Sequence, residues 1–156
     1  MIRDAHHRGF TLIELVTTIV LLGILAVYAL PKMDIAIYGQ RGFHDVLKGA
    51  LQFARKAAIG KRRQVCVDVV GSTVSFSVAT TSPDSGVVAC PAATALTLPA
   101  RDANCGSANQ VCAPGGVVLT GSSFYFDAQG RASTGVVFGS TGQPNVTVAQ
   151  ETGYVY

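Results

Sequence analysis

A chain of 156 residues has room for one compact domain and one anchor, and its 49% hydrophobic against 13% charged residues describe a globular composition shifted by one strongly apolar segment. A formal charge of +3 demands no nucleic-acid partner. Four cysteines without a Cys-x-x-Cys pair, in a chain with three histidines, lack metal-ligand spacing, so neither a metal nor another cofactor is expected.

The first nine residues carry Arg3 and Arg8 against Asp4, with His6 and His7 able to add positive charge. From Phe10 to Leu30 the only charged residue is Glu14. A helix of about twenty apolar residues reaches across a bilayer core, and the positive flank keeps Met1 to Gly9 on the cytoplasmic side and sends the remainder outward. A cleaved secretory signal is the competing reading, with Val27-Tyr28-Ala29 as its small-residue site. The apolar run is too long for it, a usual signal core having about 7 to 15 residues, Glu14 interrupts it, and Pro31 lies just past the cut. A carboxylate at bilayer depth costs about 2.5 to 3.5 kcal/mol, so Glu14 needs a partner, and its own helix offers no cation.

Pro31 removes a backbone donor, which predicts a bend between Val27 and Lys32, with Lys32 and Asp34 marking emergence from the bilayer. From Ile35 to Gly60 the pattern is amphipathic: Phe43, Val46, Leu47, Ala50, Ala54, Ala57 and Ala58 recur at three- and four-residue steps. Arg41, Asp45, Lys48, Gln52, Arg55 and Lys56 fall on the other side. Gly39, Gly42 and Gly49 each weaken this helix by about 1 kcal/mol relative to alanine. Gly60 with Lys61, Arg62 and Arg63 reads as its C-terminal cap, the cations facing the negative end of the dipole.

Then the period changes to two. Val65, Val67 and Val69, a Gly71-Ser72 turn, and Val74, Phe76 and Val78 predict a type II′ hairpin that pairs Val69 with Val74, Val67 with Phe76 and Val65 with Val78. Residues 80–116 lack periodicity and hold Cys90, Cys105 and Cys112; a loop this long is expected to be tied down. Shorter strands are expected over 117–119, 122–126, 135–139, 145–150 and 154–156, with turns at 127–130, 140–142 and 152–153. A helix followed only by strands is α+β, here a long N-terminal helix, half membrane and half amphipathic, packed on antiparallel sheet. The cysteines all follow the apolar segment, in what would be an oxidising compartment; of the three possible pairings, Cys66 with Cys90 and Cys105 with Cys112 is favoured, because Cys66 lies on the hairpin face away from the valines.

The residues Arg8-Gly9-Phe10-Thr11-Leu12-Ile13-Glu14-Leu15, the unbroken apolar helix and Pro31 resemble the type IV prepilins and the pseudopilins of type II secretion. The basic helix end leading into Gln64-Val65-Cys66-Val67, and Phe126-Asp127-Ala128-Gln129-Gly130-Arg131-Ala132-Ser133, look like the GspH/FimT type of minor pilin. The resemblance implies a leader, 1–9, cut after Gly9 by a prepilin peptidase, and an N-methylated Phe10 at the new terminus. It further implies a membrane half, 10–30, an amphipathic half, 31–60, and a β-rich periplasmic part, 61–156. Glu14 and Pro31 become assembly residues, the glutamate pairing with the α-ammonium of a neighbouring subunit's Phe10. The chain would sit in the inner membrane by a single pass with its C-terminal part in the periplasm, then join other pilins in a filament.

Three functions compete. The favoured one is a structural minor pilin or pseudopilin that initiates or assembles a type IV pilus or a secretion pseudopilus. The alternative is a DNA-binding minor pilin for DNA uptake, whose contacts would fall on Lys61, Arg62, Arg63 and Arg131; DNA is not the expected partner, since no cation follows Arg131 and the Gly-Arg-x-Arg pattern of such relatives is incomplete at Gly130-Arg131-Ala132-Ser133. An enzyme is not expected: no nucleophile motif is present, and His44 stands alone on what is read as an exposed helix face.

Overall fold

The computed structural model describes residues 10–29, 35–81 and 93–156. The leader, Pro31 and Cys90 therefore lie outside the described residues, as does the bend expected at the proline. Two compact units divide the chain at Ile35.

The first unit contains α1, Leu12–Ala29. Thr11 is its N-cap: the hydroxyl oxygen accepts the Glu14 N–H at 3.3 Å, and the Thr11 carbonyl accepts the first helical bond from the Leu15 N–H at 3.2 Å. Thr17 and Thr18 return their hydroxyls to the carbonyls of Glu14 and Leu15, three residues back, so neither leaves an unpaired polar group on an otherwise apolar surface.

The second unit, residues 36–156, begins inside α2, Ile35–Lys61. Its stripe of Phe43, Leu47, Ala50, Leu51, Ala54 and Ala58 is buried, while Val46 and Ala57 are partly covered. Side chains on Gly42 and Gly49 would meet nothing, so packing within the chain does not require either glycine. The helix runs to Lys61, and its cap lies two residues later than the one read at Gly60. Arg62 takes the left-handed conformation (φ 49°), its N–H bonds the Ile59 carbonyl, and the Arg63 N–H reaches back to the Ala58 carbonyl, both at 3.2 Å. This is a Schellman closure with arginine where glycine is cheapest.

Strands β1, Val65–Val70, and β2, Thr73–Ala79, form the hairpin in the expected register: Val69 faces Val74, Val67 faces Phe76, and Val65 faces Val78. Gly71 has φ 59° while Ser72 stays out of the left-handed region, which is the II′ arrangement. β6, Phe124–Phe126, pairs with the other edge of β1 and sets Phe124 opposite Val67 and Phe126 opposite Val65. The resulting face of Val65, Val67, Val74, Phe76, Phe124 and Phe126 is buried in one cluster with the α2 stripe. Each such side chain, fully buried, contributes roughly 1.5 to 3 kcal/mol.

The segment read as a long loop contains two strands. β3, Ala93–Ala95, and β4, Gln110–Cys112, lie end to end along the free edge of β2. Each is only three residues long and β3 is exposed throughout, so neither has the alternation that reveals a strand in sequence. Between them Asp102, 9% exposed, does the tying: its carboxylate accepts the Cys112 N–H at 2.8 Å and the Asn104 N–H at 2.9 Å, beside the Cys105–Cys112 disulfide. Cys66 is also disulfide-bonded; its expected partner, Cys90, lies outside the described residues.

A second sheet comprises β5, Leu119–Thr120, β7, Val136–Ser140, and β8, Val146–Val148, all antiparallel. The expected C-terminal strand is reduced to a bridge between Val155 and Val148. Phe138 joins Phe124 at 6.2 Å between ring centroids and links this sheet to the main core. Residues 36–156 are thus an α+β unit, one amphipathic helix on antiparallel strands.

Replacing Arg62 by glycine should stabilise the folded state by about 0.5 to 1 kcal/mol, since a left-handed residue with a Cβ gives way to one without. Denaturant unfolding of the two proteins side by side checks this; an unchanged or lower midpoint refutes the cap assignment.

Candidate functional site

Two regions collect the residues that the sequence marked. At the start of α1, Phe10, Leu12 and Ile13 are largely exposed, as is every described side chain along the helix; Leu12 retains 83% of its surface. Glu14 occupies the third helical position, where its carboxylate faces the positive end of the dipole, a stabilisation of about 0.3 to 1 kcal/mol. Among the described residues no cation pairs with Glu14. The Thr-x-x-Glu spacing of Thr11 and Glu14 is itself a helix-start signal, legible in the sequence beside the charge of Glu14. Among the described residues no helix is long and apolar enough to cross a membrane. The described helix runs 18 residues, about 27 Å at 1.5 Å per residue, against the expected span of 10–30.

The second region is the corner where α2 ends. The turn after β6 is built on Asp127. One carboxylate oxygen accepts the N–H groups of Gln129 (2.9 Å) and Arg131 (2.8 Å), and the other accepts the Arg131 Nε–H at 2.9 Å. Burial pushes this carboxyl up, but the Arg131 backbone and side-chain donors, the Gln129 N–H and the guanidinium charge outweigh it and hold it below the ordinary carboxylate value. The turn rests against α2, with the Gly130 carbonyl accepting the Arg55 Nε–H at 3.3 Å. Gly153, in the left-handed conformation (φ 61°), closes over the same spot: a side chain there would overlap the Gly130 carbonyl oxygen.

The four cations named as DNA contacts do not act as one group. Arg131 is paired with Asp127 and the Arg63 guanidinium donates to the Thr80 carbonyl, while Lys61 and Arg62 are exposed at the helix end, Arg62 with its backbone in the cap. His44 corrects another expectation. Its side chain is 15% exposed rather than open, with Nδ1 3.1 Å from the Asp45 carboxylate. Tyr154 and Tyr156, half exposed, stack at 6.0 Å with their planes 20° apart.

Among curated proteins none matches this chain. Several solved structures are similar in fold. One is the type IV minor pilin FimU of Pseudomonas aeruginosa PAO1, at 14% identity over 75% of this chain and 86% of that one, TM-score 0.48. Another is the minor pseudopilin EpsH from the type 2 secretion system of Vibrio cholerae, at 14% identity over 77% and 92%, TM-score 0.48.

Asp127→Ala should lower stability by about 1 kcal/mol at neutral pH, the net worth of the partly solvated bonds it makes. Because the folded carboxyl titrates below its unfolded value, this contribution is complete above about pH 4 and fades as pH falls through the lower folded value. Unfolding curves of wild type and variant should therefore converge in acid; a gap that widens in acid overturns the assignment.

Residues 4–30 match the model of the prokaryotic N-terminal methylation motif.

Proposed function

We propose that this protein is a minor pilin or minor pseudopilin of the GspH/FimT type, a structural subunit in the assembly or initiation of a type IV pilus or a type II secretion pseudopilus. The observation that carries the reading is the methylation motif over residues 4–30, with Glu14 five residues into the processed chain that the motif implies. In this reading residues 1–9 are a leader removed by a prepilin peptidase after Gly9, Phe10 is the N-methylated terminus, and 10–30 anchors the chain in the inner membrane. Residues 31–60 are the amphipathic half, and 61–156 lie in the periplasm. The bare apolar surface of α1 supports an environment of lipid before assembly and of neighbouring helices after it.

Glu14 then has a specific use. Methylation of an amine leaves its charge in place, so the terminal ammonium of the next subunit's Phe10 neutralises the carboxylate, and assembly removes a cost that an isolated subunit bears in lipid. A DNA-binding role gains nothing from the corner of α2, where Arg131 and Arg63 are already engaged and nonspecific binding needs several cations acting together.

Mass spectrometry of the membrane-extracted protein should find Phe10 first and N-methylated; a chain beginning at Leu30 would remove the basis of the reading. The Glu14→Ala variant should insert in the membrane normally and enter filaments about tenfold less, each tenfold being about 1.4 kcal/mol. Equal recovery of variant and wild type from sheared filaments would show the pair to be dispensable.

A further inference from the structure

A cleft of about 230 Å³ opens between α2 and the C-terminal segment, lined by Gln52, Arg55, Lys56, Tyr154 and Val155. It contains two cations and no acid. Arg55 is half-buried and fixed, its Nε–H donating to the Gly130 carbonyl, which leaves both terminal nitrogens of the fork uncommitted among the described hydrogen bonds. Neither Arg55 nor Lys56 has a carboxylate in ion-pair reach among the described residues; of the acids nearby in sequence, Asp127 is paired with Arg131, and both Asp127 and Glu151 line a different cleft. The backbone contributes too. Thr147 exchanges both hydrogen bonds with Tyr156, and Ala149 donates to Tyr154, so antiparallel alternation turns the intervening Val155 groups away from β8. Gln52 confirms the direction, its amide reaching the Val155 carbonyl at 3.4 Å.

An arginine held in place without a countercharge has already lost the side-chain freedom that binding would otherwise cost, and its planar fork fits a carboxylate with two parallel bonds. We propose that this cleft receives a carboxylate side chain presented by a neighbouring subunit, with Arg55 as the bidentate partner, Lys56 as the second charge, and the Tyr154–Tyr156 stack as the half-exposed rim. The proposal rests on the filament reading for the identity of the neighbour. A nucleic-acid phosphate track is the poorer occupant, because two cations in a cleft of this size hold one group, whereas a strand presents a row of them.

The test uses the full-length chain, ¹⁵N-labelled in detergent micelles. It is titrated with the capped tripeptide Ala-Glu-Ala, its Ala-Gln-Ala counterpart, inorganic phosphate and an oligothymidine. The glutamate peptide should give saturable shifts at Gln52, Arg55, Lys56, Tyr154 and Val155, with the glutamine peptide about tenfold weaker. Lys56→Met should weaken the response by a similar factor with the rest of the spectrum unchanged, which sets it apart from Arg55 variants that also release the Gly130 turn. No saturable shift, an equal response to the glutamine peptide, or tighter binding of phosphate or oligothymidine overturns the carboxylate site. Filament membership is scored separately by recovery from sheared filaments. If wild type is recovered and Lys56→Glu is recovered equally, the site fails while the filament reading stands; if wild type itself is absent, the filament reading fails.

Discussion

The second unit depends on one fit, the α2 stripe of Phe43, Leu47, Leu51, Ala54 and Ala58 against the valine and phenylalanine face of β1, β2 and β6. The stripe changes from large to small side chains along the helix. Ala54 and Ala58, both fully buried, fill the part of the core nearest the helix end with small side chains beside the β-branched valines of the sheet. The hairpin register is what puts all of these valines on the same side, since a slip of one residue would turn them to solvent and bring Cys66 and Asp68 inward. Helix cap, hairpin turn and core are therefore mutually consistent.

The first unit follows the opposite logic. α1 buries none of its described side chains, and its one charge sits where a helix start makes a carboxylate tolerable without neutralising it. The local hydrogen bonding is nevertheless tidy: Thr11 caps the helix, and Thr17 and Thr18 satisfy their own hydroxyls. Among the described residues no cation pairs with Glu14, and the proposed subunit reading supplies one from a neighbour.

The corner at the end of α2 shows how charge of one sign is divided among separate tasks. Arg131 stabilises its own turn through Asp127, Arg62 adopts the cap conformation, Arg63 ties the helix end to β2 through Thr80, and Arg55 spans to Gly130. In the sequence these cations look like one basic cluster. Three-dimensional spacing divides them between two clefts that contain no acid, Arg55 and Lys56 in one and Lys61 and Arg63 in the other.

The sequence alone determined the elements whose signal is periodic or covalently local. The 3.6-residue stripe of α2, the two-residue alternation of the hairpin and its Gly71-Ser72 turn were all legible, because one face of each element is buried and the pattern records it. The methylation motif was legible for the same local reason, as contiguous residues read in order. Only the tertiary structure decided the rest. β3 and β4 exist because β2 has a free edge for them, not because three-residue segments prefer to be extended. The helix runs through Gly60 to Lys61, and the left-handed closing position falls on Arg62, where the Arg63 N–H reaches the Ala58 carbonyl. Asp102, Gly153 and the cleft beside Arg55 depend on groups ten to a hundred residues apart meeting at hydrogen-bond distance, and such meetings leave no periodic trace in a linear chain.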